Sequence, residues 1–74
     1  MQCNVKLFAY FRDGRFKQRV MDLPEGTTVA MIIDSLGLPG DEVGVTMINS
    51  RHCQWQQALA EGDQLAIFPA IGGG

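Results

Sequence analysis

Seventy-four residues, 46% apolar and 19% charged with a net charge of −2, make one domain near the lower limit for a chain that folds on a single hydrophobic core. Such a composition excludes a disordered chain, and no apolar run approaches the ~20 residues of a membrane-spanning helix. Met1-Gln2-Cys3-Asn4 carries no basic region followed by an apolar stretch, so a cytoplasmic location is expected, and the acidic balance argues against nucleic acid as the partner.

Residues 3–11 alternate. Cys3, Val5, Leu7, Ala9 and Phe11 share one parity and Asn4, Lys6, Phe8 and Tyr10 the other, which predicts a strand with an apolar core face and a second face that is half aromatic. Arg12-Asp13-Gly14-Arg15 reads as a hairpin turn, because Asp-Gly is a strong short-range turn signal. A second strand is expected over residues 16–23, with Phe16 and Val20 at like parity, and Pro24-Glu25-Gly26 breaks it.

One helix follows. Thr27 or Thr28 supplies a capping hydroxyl, and Val29, Ile32, Ile33 and Leu36 form an apolar stripe about two turns long. Gly37 stands where a left-handed C-cap is wanted, and Pro39 prevents resumption. Residues 43–48 predict a third strand, Asn49-Ser50-Arg51 a turn, and residues 52–54 a short fourth strand. Residues 55–59 are irregular or a single helical turn, Glu61-Gly62-Asp63 turns the chain, and residues 64–68 form the last strand. The order predicts an α+β fold, one sheet packed on one main helix. Its expected core is Val5, Leu7, Val20, Val29, Ile32, Ile33, Leu36, Val45, Met47, Leu65 and Ile67. So short a helix leaves one sheet face largely open.

On that open face, Ala66 and Phe68 point away from the core parity of Leu65 and Ile67, as Phe8 and Tyr10 do in the first strand. If the first and last strands are neighbours, Phe8 and Phe68 form an exposed aromatic patch. A lone exposed Phe needs no explanation, whereas a cluster marks a partner surface. Four of the six basic residues, Arg12, Arg15, Lys17 and Arg19, lie close together. They form either the solvated face of a hairpin or a patch that steers docking to an acidic partner.

The segment Ile71-Gly72-Gly73-Gly74 follows Phe68-Pro69-Ala70. Pro69 lacks the N–H that would continue a central ladder, and three glycines neither cap a helix nor make a strand. The expected division is therefore a folded domain over residues 1–70 and a flexible glycine tail over residues 71–74. A frayed terminus is one reading of such a tail. The other is an arm without side chains, narrow enough for the active-site channel of another protein, ending in an ionised carboxylate.

Catalytic constellations are otherwise missing from the sequence. His52 and Cys53 alternate to opposite faces of a strand and make no nucleophile–base pair. Two cysteines and one histidine are too few for a structural zinc site, and there is no phosphate-loop motif. In a reducing compartment Cys3 and Cys53 are expected as thiols, packed as small hydrophobes.

The ordered set of motifs resembles the MoaD/ThiS family of ubiquitin-like, β-grasp sulfur carriers over essentially the whole chain. The residues that carry the resemblance are Val5-Lys6-Leu7-Phe8, Leu23-Pro24-Glu25-Gly26-Thr27-Thr28-Val29, Leu36-Gly37-Leu38 and Ile48-Asn49-Ser50-Arg51-His52. Glu61-Gly62-Asp63, Leu65-Ala66-Ile67-Phe68-Pro69 and the glycines complete it. It implies a β-grasp sheet of four to five strands and a carrier with no catalytic machinery and no bound cofactor, monomeric when free. In such carriers the terminal carboxylate is adenylated by an ATP-dependent, ubiquitin-activating-like enzyme and converted to a thiocarboxylate. By resemblance Gly74 carries the sulfur and Gly72 and Gly73 thread the channel, while Phe8, Phe68, Pro69 and Ile71 meet partners.

MoaD-like members serve molybdopterin synthase as its small subunit, and ThiS-like members serve thiazole synthase in thiamine synthesis. Leu7-Phe8-Ala9 and Phe68-Pro69 lean towards the MoaD side. A protein modifier and an inert interaction module are the other classes. The chain departs from the family in a third terminal glycine, and in Ser50 at a turn position where glycine is common, which suggests a different turn type.

Overall fold

The computed structural model describes residues 1–70. Its elements are β1 (Gln2–Leu7), β2 (Gln18–Asp22), α1 (Val29–Ser35), β3 (Val43–Ile48), β4 (Arg51–His52) and β5 (Gln64–Pro69), with 3-10 turns at Ala9–Arg12 and Gly40–Glu42. The sheet order is β2-β1-β5-β3-β4. β1 and β5 run parallel at its centre, and the other neighbours pair antiparallel. This is the β-grasp arrangement, a mixed five-stranded sheet with one helix.

Cys3, Val5, Leu7, Leu65 and Ile67 point to the helix side and are buried with Val29, Ile32 and Ile33 of α1. A seven-residue helix cannot cover five strands, and Phe11, Leu38 and Leu59 from the connecting segments complete the core. Thr28 is the N-cap, its hydroxyl accepting from the Met31 N–H at 3.3 Å, while the Thr27 hydroxyl donates to the Pro24 carbonyl. Leu36 is half-buried at the C-cap, and Gly37 takes the left-handed conformation with φ +69°. The Arg15 guanidinium donates to the carbonyls of Leu36 and Gly37, both at 3.1 Å. A cation thus sits where the helix dipole is negative, and Arg15 leaves the basic cluster for a structural role.

Ile33 is 3% exposed, and its stripe is the main cover of the sheet. Ile33→Ala is expected to lower the unfolding free energy by about 2–5 kcal/mol, read as an earlier midpoint in urea denaturation with an unchanged m-value.

Three expectations change. The first strand ends at Leu7 instead of running through residue 11, because Ala9 turns to φ +53° and the 3-10 turn swings Phe11 into the core. Arg12 Nε closes this kink on the Leu7 carbonyl at 2.6 Å. Val20 is 63% exposed instead of buried. It pairs with Asn4, and directly paired residues share a face. The core side of β2 carries Met21 and also Arg19, which lies over the Phe16 ring at 4.4 Å. Parity counted from Phe16 fails because Phe16 precedes the strand.

The third change is in β3, where Val45 and Met47 lie on the open face, paired with Phe68 and Ala66, and Thr46 is buried opposite Ile67. The register shifts between Val43 and Val45. A bulge at Gly44 inserts one residue and reverses the parity of everything after it.

Candidate docking face and chain exit

The parallel pairing of β1 with β5 brings Phe8 beside Phe68, ring centroids 4.1 Å apart and planes 14° from parallel. Each ring covers part of the other, so both are half-buried and neither projects fully into solvent. Arg12 lies over the Phe8 ring at 5.3 Å, a cation–π distance. On this side Lys6, Arg12 and Lys17 line a groove of about 330 Å³ with Phe8 and Gln18. Among the described residues, the only ion pair joins the Met1 ammonium to Asp22, so these three cations face the groove without carboxylate partners.

On the other side of the stack lies an apolar groove of about 490 Å³, formed by Gly44, Val45, Met47, Phe68, Pro69 and Ala70. Val45 and Met47 belong to this face although their sequence alternation assigns them to the core. The isolated glycine within the strand was the available signal, since such a glycine marks a bulge or a close backbone approach. Pro69 is buried on the parity of Leu65 and Ile67, and it lines this groove.

The groove ends where the chain leaves the sheet. The Ala70 N–H donates to the Glu42 carbonyl at 2.7 Å, and the Tyr10 hydroxyl donates to Glu42 Oε1 at 2.6 Å. That bond raises the Tyr10 pKa, because it stabilises the protonated phenol and the carboxylate opposes a second negative charge. Ile71, Gly72, Gly73 and Gly74 lie outside the described residues.

His52 pairs with Met47 and is exposed, whereas the half-buried Cys53 directs its Sγ to Thr46 Oγ1 at 3.5 Å. Cys3 is buried with its thiol on the Ala60 carbonyl, and burial, then the Asp63 charge, pushes its pKa up. Low-pKa thiols are the reactive ones, so Cys3 packs as a hydrophobe. No group of three or more potential metal ligands occurs among the described residues, and no helix of theirs is long and apolar enough to cross a membrane.

The sequence profile of the ThiS family matches residues 5–74. The chain belongs to the ThiS family. Among solved structures, it is similar to molybdopterin converting factor subunit 1 from Pyrococcus furiosus, with 26% identity and a TM-score of 0.77 over 96% of this chain and 99% of that one. SAMP1 from Haloferax volcanii matches at 25% identity and a TM-score of 0.76, covering 100% of both chains. A complex of subunits 1 and 2 of the molybdopterin-converting factor from Helicobacter pylori matches at 15% identity and a TM-score of 0.69, again over 100% of both chains. That last likeness is one of fold alone. Comparison with curated proteins finds no match.

Ser50 lies in the hairpin turn between β3 and β4. Asn49 and Ser50 both have positive φ, 53° and 69°, in a two-residue loop between the paired Ile48 and Arg51. These are the values of a type I′ hairpin turn. Ser50 therefore carries strain that glycine would not. Ser50→Gly is expected to raise stability by about 0.5–1 kcal/mol, the left-handed penalty less the added freedom of the unfolded chain. Thermal unfolding of the two proteins side by side checks it.

Proposed function

We propose that this chain is a sulfur carrier acting in the cytoplasm, with Gly74 as the reactive residue. Its carboxylate attacks the α-phosphorus of ATP inside an activating enzyme, pyrophosphate leaves, and a sulfide-class nucleophile then displaces AMP from the acyl adenylate to give a thiocarboxylate. The chain supplies the group and the docking face. The enzyme supplies the nucleotide and the catalysis. Gly72 and Gly73 thread the channel, and Phe8, Phe68 and Ile71 contact the partners.

The observation that carries this reading is the alignment of the ThiS family through the glycines to residue 74, joined to an aromatic stack on the strand that leads to them. Molybdopterin biosynthesis is the preferred destination. Its support is the likeness to molybdopterin converting factor subunit 1, and the large subunit of molybdopterin synthase is then the sulfur-accepting partner. A ThiS-type role with thiazole synthase uses the same tail chemistry.

The Lys6–Arg12–Lys17 groove beside Phe8 favours partners whose contact surface is acidic, and opposite potentials speed encounter more than they deepen affinity. The likeness to SAMP1, a small archaeal modifier protein, supports a second reading. In it the same adenylate is captured by a lysine amine of another protein, and AMP leaves as an isopeptide bond forms.

One experiment separates these outcomes. The chain is incubated with ATP, the host's activating enzyme and a sulfide source, and its intact mass is read. Replacement of one oxygen by sulfur at the C-terminus is the expected result. Attachment to lysines of cellular proteins, found with no such exchange, would replace the carrier by the modifier. A tail that neither supports ATP–pyrophosphate exchange nor changes mass would leave an interaction module.

A further inference from the structure

The end of β5 passes over Gly44 at a distance no other residue allows. A Cβ built on Gly44 would lie 2.7 Å from Ala70 Cα, 2.8 Å from Ala70 N and 3.1 Å from the Pro69 carbonyl carbon. All three are backbone atoms, so no side-chain rotation relieves the clash. Gly44 is not among the glycines with positive φ. The position therefore requires glycine for space alone, whereas most turn glycines are required for conformation.

Around this contact the chain exit is held from two further sides. Pro69 has no N–H, which would ordinarily end the ladder. The bulge at Gly44 advances β3 by one residue, and the Ala70 N–H then reaches the Glu42 carbonyl at 2.7 Å. The Glu42 side chain is in turn fixed by the Tyr10 hydroxyl at 2.6 Å, the length of a charge-assisted O–H···O⁻ bond. Tyr10 belongs to the 3-10 turn that packs against β5. The exit thus has a floor at Gly44, a hydrogen bond from the Ala70 N–H to the Glu42 carbonyl and a tether of Glu42 to Tyr10.

We propose that Gly44 is a positioning residue: its missing Cβ seats the Ala70 backbone and fixes where the chain leaves the sheet relative to the Phe8–Phe68 face. The inference rests on the reading of the tail as the reacting segment, and it adds the element that sets the tail's origin. Docking fixes the face against the partner, and the seat converts that fixed face into a fixed starting point for the tail. A Cβ at position 44 pushes the origin away by well over half an ångström before ordinary contact is restored. Displacements of about 1 Å at a reacting group cost up to ~10²-fold in rate.

The test is Gly44→Ala in the full chain, with two readouts. Amide hydrogen exchange of the free protein reads the seat without any enzyme. The Ala70 amide is expected to exchange about tenfold faster or more, while Leu65 and Ile67 keep their protection, as for a local opening. Steady-state adenylation with ATP and the activating enzyme reads the consequence. A kcat lowered about tenfold or more with KM within about twofold is expected, the pattern of a lost alignment with intact docking. Ile33→Val controls for stability: it loosens the core away from the exit and should leave kcat unchanged. If Gly44→Ala does not fold, Ala70→Pro removes the donor to Glu42 and Tyr10→Phe removes the tether, and both are expected to lower kcat in the same sense.

Unchanged Ala70 exchange in Gly44→Ala overturns the seat. Faster exchange with unchanged kcat overturns its role in positioning. A parent chain that is never adenylated, whatever its exchange, overturns instead the proposed function on which the role depends.

Discussion

Under the proposed function, replacing Phe68 with aspartate is expected to weaken binding to the activating enzyme about 30-fold or more, while the free protein stays folded. Phe68 stands on β5, the central strand, and its ring stacks on Phe8 at 4.1 Å on the face that α1 does not cover. Val45 is its cross-strand partner, and Met47 lines the same apolar groove. Aromatic residues at the middle of an interface commonly cost 2 kcal/mol or more when truncated, and a buried carboxylate without a partner adds to that cost. Since 1.4 kcal/mol is a factor of ten in affinity, about 30-fold is the lower end.

The fold should tolerate the change, because the stack it removes is worth about 0.5–1.5 kcal/mol and the core residues Leu65 and Ile67 on the same strand keep their contacts. Isothermal titration with the activating enzyme, beside circular dichroism of the free variant, provides the check. Wild-type affinity in a folded Phe68→Asp protein would return this face to incidental exposure. Phe8→Asp should behave alike, with added loss from the Arg12 cation above the ring.

The sequence allowed the aromatic pair to be placed but not its surroundings, for physical reasons that can be named. Phe8 and Phe68 were recoverable because Val5, Leu7, Leu65 and Ile67 alternate without interruption. Once the two strands are neighbours, parity alone puts both rings on one face. In β3 the same rule fails after Gly44, because alternation assumes an unbroken ladder and a bulge breaks it. In β2 the alternation holds but the count started from Phe16, which precedes the strand, and the register is set by pairing with β1 instead of by the strand's own weak apolar pattern.

The helix was the most legible element, with cap, stripe and stop all local. Arg15 shows the opposite limit. Its role at the end of α1 links residues 22 positions apart, and nothing in the local sequence signals a bond of that span. The chain exit at Ala70 combines both cases, since Pro69 advertises the end of the ladder while the Glu42 carbonyl that receives Ala70 is visible only in the fold.

Changes at the glycine tail are expected to have the largest effect on activity and the smallest on stability. Under the proposed function, the Gly74 carboxylate must meet a nucleotide phosphate held within another protein, in line and near contact. The last described point is Ala70, fixed by its bond to Glu42, so reach from there is set by the number of residues. One residue of extended chain moves the end by about 3.3–3.6 Å, several times the tolerance of a reacting pair. Appending one residue after Gly74 is therefore expected to abolish acquisition of sulfur, and Gly73→Ala to impair adenylation by placing a Cβ in a channel that accepts glycine. The buried cluster is built from residues between Cys3 and Ile67, so the unfolding midpoint is expected to stay at the parent value. Deleting Gly74 is the decisive comparison for the third glycine. A tail ending on Gly73 that reacts as fast as the parent would show that the chain has slack of one residue. An extended chain that gains terminal sulfur without prior trimming would remove the carboxylate of Gly74 from the mechanism altogether.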